Sequence, residues 1–170
     1  MTLSGLPEPW LRGTRGEVPA VLRGALHALD LAREDIERFC AGLSLSELNA
    51  RPFDLPSVAF QLKHTARSLD RLLTYAEGRS LSQDQLSALR TELEDGDGKD
   101  DLFAEFYAAL EQSAARIVQF DVSALEDSRR VGKKGLPTTL GGLLVHVADH
   151  TQRHTGQAVT TAKILLALRK

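Results

Sequence analysis

Apolar residues recur every three or four positions through four separate stretches of the chain, and the prolines and glycines stand at the edges of these stretches. Val18, Leu22, Ala25, Leu29, Ala32, Ile36 and Phe39 trace one face of a helix predicted from about residue 19, where proline suits a first turn, to residue 41, with Gly42 as its stop. Ala59, Leu62, Ala66, Leu69 and Leu73 mark a second helix over 56 to 76, closed by Gly78. A third begins near Asp100 and Asp101, whose carboxylates suit the exposed amides of a helix start, and presents Leu102, Phe106, Leu110, Ser113, Ile117 and Phe120. The fourth starts near Thr138 or Thr139 and runs almost to the last residue.

Between the second and third stretches, Ser82 followed by Gln85 has the form of a capping box and predicts a shorter helix around 81 to 93. The acidic, glycine-rich run EDGDGKDD then reads as a mobile linker. It lacks the carboxylate and glycine register of an EF-hand loop, so it reads as a solvated turn rather than a calcium site. No strand pattern is evident. Four long amphipathic helices predict an all-α chain, a four-helix bundle in one domain over residues 1–170.

Composition narrows the function classes. Lys and Arg number 21 against 23 Asp and Glu, a formal charge of -2, and no basic stripe is interleaved with aromatics, so nucleic acid is not the expected partner. No apolar run approaches the length of a membrane span, and the start, MTLSGLPEPWLR, lacks a basic region followed by an apolar stretch; both argue against a membrane and against export. Cys40 stands alone in an apolar helical pattern, as a buried free thiol in a reducing compartment would, and the expected location is cytoplasmic. Trp10 is expected to pack an N-terminal arm over the end of the bundle. Arg129, Arg130, Lys133 and Lys134 read as a solvated connection, with an anion-binding lip over a pocket as the alternative.

The chemistry-bearing feature is a histidine ladder. His146, His150 and His154 recur every four residues in LLVHVADHTQRHTGQ, so they rise along one side of the fourth helix, about 40° apart around its axis. His150 and His154 point inward with Leu140, Leu143, Val147 and Ala158. His146 lies nearer the edge of that face, and Gln157 stands beside the ladder one turn past His154, so these two read as supporting residues. Two histidines at this spacing can reach one divalent ion, or can form a hydrogen-bonded core pair. No glutamate adjoins His150, so the zinc-protease motif is absent. A metal needs a further ligand, and His64 on the second helix is the main candidate. The helical wheel opposes it: His64 lies roughly 170° from that helix's apolar stripe, which predicts a solvent-facing ring. His27, opposite the first helix's stripe, is also expected at the surface.

Taken together, SVAFQLKHTARSLDRLLTYAEG and RRVGKKGLPTTLGGLLVHVADHTQRHTGQAVTTAKILL, with GEVPAVLRGALHALDLAREDIERF in supporting register, resemble the DinB/YfiT family over nearly the whole chain. The resemblance implies an up-down-down-up bundle with one long crossover. It also implies three metal-binding histidines, one from the second helix and two from a His-x-x-x-His turn in the fourth, which on this sequence are His64, His150 and His154. Family members commonly read His-Arg-Gly-Gln at the end of that turn, whereas this chain has His154, Thr155, Gly156 and Gln157 with Arg153 on the other side of the histidine. Related sequences often carry another histidine where this chain has Gln61.

Three neutral imidazoles would leave a divalent ion, zinc or nickel, with open positions, which suits a catalytic site. The implied function is a metal-dependent enzyme, a hydrolase or a transferase using a low-molecular-weight thiol, with a small-molecule substrate and no catalytic side chain identifiable beyond the ligands. The alternative is a non-catalytic metal-binding or stress-associated dimeric bundle; a homodimer is implied by the resemblance.

Overall fold

Prolines and small hydroxylated residues open the helices where the pattern places them. The computed structural model describes residues 6–94 and 96–169, which form α1 (Ala20–Cys40), α2 (Leu45–Asn49), α3 (Val58–Ala76), α4 (Gln83–Arg90), α5 (Lys99–Ile117) and α6 (Leu140–Leu168). Pro19 precedes α1 without a side-chain cap, whereas the Ser57 hydroxyl accepts from the Phe60 amide and the Thr139 hydroxyl accepts from Gly142, so otherwise orphaned amides at the starts of α3 and α6 are satisfied by side chains. Ser82 and Gln85 form the expected reciprocal capping box on α4. Ser44 and Glu47 form a second one on α2, a five-residue helix too short to show periodicity.

The long helices pack as a bundle in which α1 and α3 each lie against both α5 and α6. Side-chain bonds fix their directions. Gln152 reaches the Ala28 carbonyl and Arg169 the Gly42 carbonyl, so α6 runs parallel to α1, while Lys99 reaches Ala41 and Arg33 reaches Glu111, so α5 runs antiparallel to α1. Arg67 to Glu105 and Arg116 to Glu77 set α5 parallel to α3. The order is up-down-down-up, with the long crossover carrying α4 back along α3. The core is aliphatic, with Leu22, Ile36, Leu62, Leu69, Leu73, Phe106, Ile117 and Leu144 all buried. Cys40 is fully buried among them, and burial, aided by the nearby Asp35, pushes its thiol up to about 12. No described helix is long and apolar enough to cross a membrane.

Three local expectations are corrected. The basic connection before α6 is a β-hairpin, β1 (Ser128–Val131) paired antiparallel with β2 (Leu136–Thr139). Each strand has four residues, and Pro137 interrupts the usual strand signal. The turn closes with the Gly135 amide donating to the Gly132 carbonyl, and both glycines sit at positive φ, 71° for Gly132 and 59° for Gly135, where a side chain would be strained. Trp10 does not pack over the bundle: it is 59% exposed and its indole donates to Glu8, while Pro9 is the buried residue of that arm. The acidic run after α4 is tied down rather than free, since the buried Lys63 ammonium donates to the Glu94 carbonyl and to Asp97 at 2.9 Å. Asp95 lies outside the described residues.

Candidate metal centre

Antiparallel packing of α3 on α6 brings His64 opposite His150 and His154. One ring nitrogen from each of the three lies within 4.8 Å of those of the other two. The ring centroids are 5.1 Å apart for His64 and His150, 4.4 Å for His64 and His154, and 4.4 Å for His150 and His154. The wheel's placement of His64 in solvent is therefore overturned; its side chain is only 20% exposed. α3 buries two faces rather than one. Leu62, Leu69 and Leu73 enter the core, while Lys63, Ser68 and the His64 side are covered by α4 and the turn after it, and the Phe60 ring stacks on His64 at 5.3 Å.

The hydrogen bonds around the rings decide which nitrogens are available. His64 Nδ1 lies 2.8 Å from Glu92 Oε2, and His154 Nδ1 lies 2.7 Å from Gln61 Oε1. A carboxylate or amide oxygen can only accept, so in the neutral rings both Nδ1 atoms carry the proton and both Nε2 lone pairs are left for an electrophile. The Ser68 hydroxyl approaches His64 Nε2 at 3.4 Å, a long contact. Neither nitrogen of His150 has a hydrogen-bond partner among the described residues. Burial pushes His150 down to about 3, reinforced by the neighbouring His154 and His64. Burial likewise takes His154 down to about 4, with His64 and Arg153 adding to it and Gln157 and Glu92 opposing. Both rings are neutral at pH 7, the form in which imidazole binds a metal.

Glu92 is the functional group the sequence did not reveal. Burial works to raise its pKa, but hydrogen bonds from His64 and Arg71 and the Arg71 charge hold the carboxyl below its usual range. One oxygen meets His64 and the other Arg71 Nη1, and the residue is 4% exposed. A signal was present on both sides of this contact. Lys63, Arg67 and Arg71 stand four residues apart on the face of α3 that also carries His64, and the run following α4 is acidic. The supporting residues lie outside the three-ring cluster. His146 is 43% exposed, its ring stands edge-on to His150 at 5.3 Å, and its Nδ1 is 3.4 Å from Asp149. Gln157 is exposed beside His154, and Arg153 turns away to Asp149 at 2.7 Å. His27 is half-buried rather than solvent-facing, with its Nδ1 buried and without a hydrogen-bond partner among the described residues.

Three nitrogen donors on two rigid helices, two of them oriented by oxygen acceptors behind them, fit a divalent ion that takes nitrogen ligands and do not fit the oxygen-rich shell of calcium. The cluster thus has the donor set and spacing to hold such an ion.

A family model described as the DinB superfamily matches residues 28–158. Among solved structures, the crystal structure of the conserved protein of locus from Enterococcus faecalis matches with a TM-score of 0.69 at 23% identity, covering 86% of this chain and 98% of that one; the likeness is one of fold. No curated protein matches the chain.

Proposed function

The chain belongs to the DinB superfamily, and on that footing we propose that it is a metal-dependent enzyme that transfers a low-molecular-weight thiol to a small electrophilic substrate. The observation that supports this reading is the convergence of His64, His150 and His154 with their donor nitrogens within 4.8 Å. Those three residues would hold zinc or nickel. A divalent ion in such a site supplies Lewis-acid chemistry, lowering the pKa of a thiol or water and polarising an electrophile.

The chain's own residues favour a thiol over water as nucleophile. Hydrolysis benefits from a free carboxylate to take the proton, but Glu92, the carboxylate bonded to the ring cluster, is already committed to His64 and Arg71. An ordinary thiol has a pKa of about 8.5, against roughly 15.7 for water, so it would give its proton to solvent with much less assistance; its sulfur then bonds the electrophilic carbon as the leaving group departs with the bonding pair. Gln61 and Glu92 hold the two ring tautomers, and Phe60 stacked on His64 excludes water from one side of that ring. The test is consumption of a low-molecular-weight thiol in the presence of an alkylating electrophile. Turnover by the zinc- or nickel-loaded chain should exceed background and vanish in His150→Ala; equal rates in the two proteins and in buffer reject the reaction.

Glu92→Gln keeps an acceptor for His64 but removes the charge that makes the ring a stronger donor. Affinity for zinc is expected to fall about 10- to 100-fold, read by competition with a chromophoric chelator, while helical circular dichroism stays at its wild-type value.

A further inference from the structure

A second concave site lies at the other end of α3. Tyr75, Leu81 and Leu86 give it an apolar lining, and β1 and the hairpin turn close its opposite wall. Its volume is about 640 Å³, within the range that encloses small organic ligands. His64 and Tyr75 are separated along α3 by roughly 16 Å, so the histidine cluster is elsewhere.

The charged groups of this cleft are of one sign. Arg79, Arg129, Arg130 and Lys133 line it and, among the described residues, no carboxylate does, in a chain whose overall charge is -2. Arg79 is matched by Glu77 from outside the cleft. Among the described residues, Arg129 and Arg130 meet neutral partners only. Arg129 Nε donates to the Ala76 carbonyl at 2.7 Å, which both anchors the hairpin and covers the negative end of α3, and Arg130 Nη1 donates to the Gly135 carbonyl at 3.3 Å. Lys133 has no side-chain hydrogen bond or ion pair among the described residues and is held at the tip of a turn fixed by Gly132 and Gly135. Like charges gathered around an aromatic and aliphatic wall, on elements already locked together, are the complement of an anion with an apolar body.

We propose that this cleft binds a small organic anion, a phosphate or carboxylate met by Arg129, Arg130 and Lys133 with its apolar part against Tyr75, Leu81 and Leu86. The site stands apart from the metal chemistry, and its test does not depend on it. Phenyl phosphate titrated into the full ¹⁵N-labelled chain should give saturable shifts at the amides of Ser80, Gly132 and Lys133. Inorganic phosphate should bind about tenfold more weakly for want of the ring. Benzoate in a parallel titration separates carboxylate from phosphate, and saturable binding of either at these amides supports the site. Replacing two exposed cations together, Arg130→Gln with Lys133→Gln, should weaken phenyl phosphate at least about tenfold while the rest of the spectrum is unmoved. Unchanged affinity in that variant, non-saturating shifts spread over all basic residues, or shifts centred on His150 and His154 would each overturn the proposal.

Discussion

Replacing His150 with alanine is expected to remove stoichiometric zinc or nickel binding while leaving the metal-free fold almost as stable as before. The two effects separate because the ring contributes to them differently. A four-ligand zinc site in a small domain is worth about 10–16 kcal/mol, so one imidazole carries on the order of 3 kcal/mol, roughly a hundredfold in affinity. In the metal-free chain the same ring sits half-buried with no hydrogen-bond partner among the described residues, and burial and its neighbours hold it neutral at a pKa of about 3. It therefore gives the apo fold little, and its loss should shift unfolding by no more than about 1 kcal/mol. Isothermal titration with zinc and urea unfolding in chelator check the two halves. A variant that binds zinc as tightly as the parent would leave the three-histidine centre without chemical meaning, and one that unfolds outright would make the ladder a packing device.

The bundle and the ladder were legible in the chain because both are periodic. The stripes on α1, α3 and α5 are core faces, and residues four apart on α6 need no tertiary information to share a side. His64 was not legible from its own helix. The wheel locates a single apolar face, whereas α3 is covered on a second side by a polar interface in which Lys63 meets Asp97, Arg67 meets Glu105 and Thr91, and Arg71 meets Glu92. Such a surface has the composition of one that faces water. Only the pairing of a basic row with an acidic run distant in sequence distinguishes it, and that pairing is a property of the fold. Glu92 and Gln61 escaped for the same reason: each acts on a histidine of another segment, 28 and 93 residues away. The hairpin escaped because two four-residue strands give no period to count.

The strongest effect on stability is expected at Phe106. Its ring is 1% exposed on α5, packed edge-on to Tyr107 at 5.6 Å and enclosed by the aliphatic core. Phe106→Ala should cost about 3–5 kcal/mol, since it removes transfer energy and leaves a cavity that rigid helices do not fill. Against a typical total of about 5–15 kcal/mol, that is enough to lower the urea midpoint sharply and to populate the unfolded chain. α5 provides none of the three histidines, so the folded fraction of this variant keeps the wild-type site. A ligand that binds only the native state then stabilises it by mass action, about 4.1 kcal/mol at a free concentration a thousand times Kd. Saturating zinc should accordingly return most of the stability lost in Phe106→Ala and restore its urea midpoint toward that of the metal-free parent. The double variant Phe106→Ala with His150→Ala should show no such recovery. A midpoint indifferent to zinc in the single variant would mean that the folded chain has no metal site to be linked to, whatever the spacing of its rings, whereas recovery in the single variant and none in the double would tie the stability of the bundle to coordination through His150.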